Sequence, residues 1–109
     1  MNDLYDTMRM ELRRGVLVLA VLAALRQEQY GYSLRRRLLA ADIDIEEGTL
    51  YPLIRRLETQ GLLRSQWREV GGRKRRYYTI SSEGEAMLAS LARKWESISK
   101  SLWTLMEVA

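Results

Sequence analysis

The sequence predicts a mainly α-helical fold with a small β-hairpin: a winged helix-turn-helix followed by a long C-terminal dimerisation helix. Three observations predict it. Two short helical stretches with cationic outer faces follow one another between residues 30 and 60. Two β-prone runs then flank the glycine pair Gly71-Gly72. Finally, the last part of the chain carries an unbroken apolar seam at alternating spacings of three and four.

Taken in order, Leu4, Met8, Leu12, Val16 and Leu19 place a helix from Leu4 to about Arg26, apolar on one face early and on all sides later. Its second half is expected to be enclosed. The residues from Gln27 to Gly31 interrupt it. "YSLRRRLLAA" then sets Leu34 and Leu38 at helical spacing beneath Arg35, Arg36 and Arg37, and "DIDIEEG" reads as a turn. The next helix contains Pro52, which in a helix interior would cost about 3 kcal/mol. The conflict disappears if Pro52 lies in the first turn, so the helix is predicted to start near Gly48 or Thr49 and to end at Gly61. Leu50, Leu53, Ile54 and Leu57 share one of its faces, leaving Tyr51, Pro52, Arg55, Arg56 and Thr59 around the other.

"LLRSQWREV" and "RRYYTI" alternate as strands, and "GGRK" between them supplies a hairpin turn with positive-φ residues. Tyr78 and Ile80 are expected to point inward, and Trp67 to join the core. Ser82-x-x-Glu85 is a capping box, with Ser81 as the alternative cap, opening a helix that runs nearly to Ala109. Leu88, Leu91, Trp95, Ile98, Leu102 and Leu105 form its seam, and a lone helix with such a seam needs a partner.

Composition narrows the chemistry. The chain has 109 residues, the length of one domain, with neither cysteine nor histidine. Disulfides, thiolate nucleophiles, imidazole bases and common zinc sites cannot be built within it, which argues against an enzyme and implies no metal and no cofactor. Asp44, Glu46 and Glu47 suit a helix N-terminus and lack metal-loop spacing. "RRGVLVLAVLAALR" looks like a secretion signal, but Asp3, Asp6 and Glu11 acidify its leader and the apolar run is about half a membrane span. A buried helix is the better reading, so no membrane association and a cytoplasmic location are expected. Net charge is +4, and residues 61 to 80 hold six cations against Glu69 alone. That surplus favours an anionic partner.

"YGYSL" at Tyr30 to Leu34, "GTLYPLIRRLETQGLL" at Gly48 to Leu63 and "GGRKRRYYTISSEG" at Gly71 to Gly84 together resemble the PadR family of winged-helix transcriptional regulators, especially its small members with one C-terminal helix. The pieces fall in the family's order and cover nearly the whole chain. Ser33 stands where a carboxylate or amide is more usual, and Ser81 where threonine often stands. The resemblance implies a homodimer, joined through its terminal helices, that binds a double-stranded pseudo-palindromic operator and represses transcription until an effector or stress intervenes. It also implies a multidrug-binding role for a C-terminal-helix tryptophan that stacks flat, cationic molecules, which places Trp95 in a ligand site with Met8, Ile98 and Ser99. The alternative for Trp95 is an aromatic plug in the dimer core.

On these grounds residues 1 to 80 are read as the DNA-binding domain and residues 81 to 109 as the dimerisation helix. The candidate DNA interface comprises Tyr32, Arg36, Thr49, Tyr51, Pro52, Arg55, Arg56, Arg73, Lys74 and Arg75. Arginines on the second short helix suit base edges and phosphates, and the cations at the hairpin suit phosphate alone. Alternate strand residues point oppositely, so Arg73 and Arg75 are expected on one side and Lys74 and Arg76 on the other. The alternatives are a cationic face that serves solubility, or a winged-helix adaptor that binds protein or structured RNA.

Overall fold

The computed structural model describes residues 2–107. Helix α1 spans Asp3–Ala24, capped by Asn2, whose side-chain oxygen accepts from the Tyr5 amide at 2.7 Å. Strand β1 is Gln29–Tyr30, α2 is Gly31–Ala40, α3 is Glu47–Thr59, β2 is Leu63–Val70, β3 is Arg73–Ile80 and α4 is Ser82–Glu107. The strands form an antiparallel sheet in the order β1-β3-β2. The core lies where the enclosed half of α1 (Leu17, Val21, Leu22) and its C-cap Leu25 meet α2 through Leu34 and Leu38, and α3 through Leu50, Ile54 and Leu57. Leu63 and Ile80 close it from the sheet. No helix among the described residues is long and apolar enough to cross a membrane.

Both helices of the helix-turn-helix end in Schellman motifs, which explains the sharpness of their turns. After α2 the amide of Ile43 reaches the Leu38 carbonyl at 2.8 Å and that of Asp42 reaches Leu39 at 2.8 Å, with Asp42 at φ 66°. Asp42 thus occupies a left-handed position usually given to glycine or asparagine. The motif turns the chain so that Ile45, in the segment read only as a turn, enters the core at 1% exposure. Arg13 and Arg35 donate to the carbonyls of Asp44 and Ile45 and hold that turn against α1 and α2. After α3 the same pattern uses Gly61 at φ 82°, with the Leu62 amide bonded to the Leu57 carbonyl at 2.9 Å.

Three local expectations need correction. Helix α3 starts at Glu47, with the Glu46 carbonyl accepting from Leu50, so Pro52 is its sixth residue and lies beyond the first turn. The hydrogen bond that Pro52 cannot make would have gone to Gly48, which is exposed, so water can solvate that carbonyl. The cap of α4 is Ser81: its Oγ accepts from the Gly84 amide at 3.0 Å and donates to the Gly61 carbonyl at 2.7 Å, tying the start of α4 to the end of α3. Ser82 instead bonds the neighbouring Glu83. The hairpin turn is only Gly71-Gly72, at φ 59° and 77°, and Val70 pairs with Arg73. Positive φ at both central residues is the type I′ requirement, so Arg73 and Lys74 belong to the strand.

Gly84 is a further requirement of the fold. A Cβ there would overlap the Leu62 carbonyl and the Ile80 side chain, so α4 packs this closely only without one.

Candidate nucleic-acid interface

The face of α3 opposite its buried leucines shows Thr49, Pro52, Arg55 and Arg56 to solvent. Tyr51 is half-buried because its ring lies over Gly31 at the start of α2; a Cβ at Gly31 would come within 2.9 Å of that ring. Its hydroxyl donates to Glu47 at 3.2 Å, and burial, followed by Glu47, raises its pKa, so the group stays a neutral donor. Ser33 secures the start of α2, accepting from the Tyr30 amide at 3.2 Å and donating to its carbonyl at 3.0 Å.

The hairpin places its cations unequally. Arg73 and Lys74 are exposed beside the turn. Arg75 lies over the Tyr30 ring at 4.4 Å, and Arg68 over Tyr77 at 5.4 Å while paired with Glu28 at 2.7 Å. Arg76 faces the other way, paired with Glu58 of α3 at 3.0 Å and bonded to Ser65 at 2.9 Å. Arg75 and Arg76 thus take different partners, as strand alternation requires, while Arg73 and Lys74 both border a hollow with Arg75, Tyr30 and Tyr32. Among the described residues Arg36, Arg55, Arg56, Arg73 and Lys74 form no ion pair. Their charge remains available to an anion. Arg36 packs over the Tyr32 ring at 5.8 Å, bringing two more of the sequence-derived residues together at the start of α2.

Two features of this face escaped the sequence reading. Strand β1 joins the sheet through only Gln29 and Tyr30, opposite Tyr78 and Tyr77, and sets the Tyr30 ring edge-on to Tyr77 at 5.5 Å. Two residues carry no alternation, so nothing local marked them as a strand. Trp67, assigned to the core, is 63% exposed. It shares a sheet face with Leu63, but beyond the Arg76 guanidinium, 5.8 Å from its ring, the indole stays open to solvent. Together with Tyr51, Ile54, Arg55, Arg75, Arg76 and Tyr78 it lines a cleft of about 380 Å³ between α3 and the sheet.

Along α4, Leu88 packs against the chain's own core and Leu91 is half-buried, while Trp95, Ile98, Leu102 and Leu105 are exposed. Met8 is exposed on α1 and Ser99 is half-buried.

A helix-turn-helix whose second helix turns arginines outward, flanked by a basic two-stranded wing, defines a winged-helix DNA-binding protein. More narrowly, the chain belongs to the PadR-like family of transcriptional regulators, whose family model matches residues 18–90. It is 36% identical over 91 residues to the transcriptional regulator Rv3488 of Mycobacterium tuberculosis, covering 83% of this chain and 85% of that protein. A PadR family transcriptional regulator from Eggerthella lenta superposes with a TM-score of 0.93 at 43% identity, covering 98% of this chain and 96% of its own. A PadR-like regulator from Bacillus cereus gives a TM-score of 0.78 at 27% identity, over 91% and 99% of the two chains. Members of this family regulate transcription and are not enzymes, in keeping with a chain that has no imidazole or thiol.

Proposed function

We propose that the protein is a homodimeric repressor acting in the cytoplasm on a pseudo-palindromic operator. Residues 1 to 80 act as the reading head and residues 81 to 109 as the dimerising element. The observation that carries the reading is the unpaired cationic surface shared by α3 and the wing tip: Arg55, Arg56, Arg73 and Lys74 stand free on elements that a duplex can meet together. Helix α3 enters the major groove, where Arg55 and Arg56 reach base edges or phosphates. Thr49, Tyr51 and Pro52 lie at its leading end, with Tyr32 and Arg36 on the neighbouring helix α2. Arg73, Lys74 and Arg75 grip phosphate without regard to sequence.

The exposed row of Trp95, Ile98, Leu102 and Leu105 supports the dimer, since covering it with a second copy removes a continuous apolar strip from water. Two heads then meet half-sites about one helical turn, ~34 Å, apart. Trp95, with Met8, Ile98 and Ser99, takes a planar hydrophobic or cationic effector between the long helices. Binding there changes the spacing of the heads and releases the operator. The test is selection from random duplexes combined with light scattering. Paired inverted half-sites bound by a dimer support the proposal, and single half-sites bound by a monomer refute it. For the effector, quenching of tryptophan emission by planar cations should vanish in Trp95→Ala; quenching that survives the substitution places the site elsewhere.

A further inference from the structure

We infer that the cleft between α3 and the wing seats one sugar-phosphate strand of the duplex, with the Trp67 indole against a deoxyribose and Arg55 and Arg75 on the flanking phosphates. The inference rests on the DNA-binding reading above and adds to it the Trp67 wall and the cleft floor, which that reading leaves unused. A helix in a major groove and a hairpin reaching toward the adjacent minor groove are separated by the single backbone strand that divides those grooves. That strand must cross whatever lies between the two elements. Here it is the cleft of about 380 Å³, floored by Ile54 and walled by Tyr51, Tyr78 and Trp67.

Its chemistry matches a sugar-phosphate chain. No carboxylate lines it, whereas Arg55, Arg75 and Arg76 do. The neighbouring carboxylate of Glu58 is already taken by Arg76 and Ser65. Phosphate therefore meets positive charge, with Glu58 paired to Arg76 and Glu47, the other nearby acid, bonded to the Tyr51 hydroxyl. A deoxyribose, by contrast, offers a carbon-rich face, and Trp67 offers the largest apolar surface in the cleft, 63% exposed in the free chain. Its cross-strand neighbour is Arg76, whose guanidinium lies 5.8 Å from the indole on one side and 5.6 Å from Tyr78 on the other. Arg76 thus serves as a positioning residue: it ties β3 to α3 through Glu58 and sets the width of the cleft before DNA arrives. The Tyr51 wall is likewise fixed in advance by its seat on Gly31. Preformed walls reduce the ordering cost of binding.

The experiment uses the full chain labelled with 5-fluorotryptophan, whose three tryptophans give three fluorine resonances, Trp67→Phe assigning one of them. A mixed-sequence B-form duplex is titrated at low salt, and hydroxyl-radical cleavage, which attacks sugars, is mapped on a duplex selected from random sequence. The Trp67 resonance should shift as the duplex saturates. Trp67→Ala should bind about tenfold more weakly, as covering part of an indole implies, with an unchanged salt slope because no charge is lost. The same substitution should expose the sugars between the α3 and wing contacts, while Trp67→Phe should keep most of the affinity. If Trp67→Ala disturbs folding, the wild-type resonance and Trp67→Phe still decide. An unmoved Trp67 resonance at saturation, or wild-type affinity in Trp67→Ala, overturns the inference and leaves the DNA-binding reading standing. Failure of the wild-type chain to bind any duplex overturns both.

Discussion

Replacing Arg73 and Lys74 together with alanine removes two charges that take part in no ion pair among the described residues and that lie beside a two-glycine turn. Both side chains are exposed, so the stability change should stay within about 0.5 kcal/mol. DNA binding should respond much more. Each phosphate neutralised contributes about 0.9 to the slope of log affinity against log salt, so two contacts per chain and two chains per operator contribute about 3.6. Between about 50 and about 200 mM salt those contacts alone account for a loss of affinity of roughly 150-fold in the wild type, which the double variant should no longer show. The assay is fluorescence anisotropy with a labelled operator across that salt range, alongside thermal unfolding of both proteins. An unchanged slope in a folded variant would refute the assignment of these cations to phosphate. Arg75→Ala is the informative comparison, because its guanidinium is stacked on Tyr30 at 4.4 Å and its loss also removes packing.

Further outcomes follow from the same contacts. Gly84→Ala should destabilise the fold by about 1–3 kcal/mol in urea unfolding, because the new methyl meets a backbone carbonyl that cannot move aside; a neutral change would contradict that packing. Ser81→Ala should cost about 1–2 kcal/mol, since it removes the α4 cap and leaves the Gly61 carbonyl without that donor, whereas Ser82→Ala should cost far less. Ile98→Glu with Leu102→Glu should give a folded monomer in sedimentation; a dimer that persists would move the interface off this face.

Much of the fold was written locally. The leucine spacing of α3, Gly61 at its end and the paired glycines of the hairpin each encode a feature that nearest neighbours decide, and each is present. What could not be read depends on partners distant in the chain. Strand β1 exists only because β3 offers Tyr77 and Tyr78 for pairing. Ile45 looked like turn filler because the Schellman turn at Asp42 that directs it inward lacks the usual glycine. Trp67, expected in the core, does share a sheet face with Leu63, but what packs against that face is a tertiary fact, and there the indole is left 63% exposed. The same limit applied at the candidate interface. Sequence placed four consecutive cations on the wing, while only the folded chain shows Arg76 committed to Glu58 and Arg75 to Tyr30.

The most direct measurement compares the affinity of the wild-type chain for its selected operator with that for a scrambled duplex at one fixed salt concentration, and repeats both with Arg55→Ala and Arg56→Ala in α3. The account predicts discrimination of at least about 10³ in the wild type, narrowed by substitution in α3 with little change in the affinity for scrambled DNA. Equal affinity for both duplexes, or no duplex binding even at low salt, would contradict it.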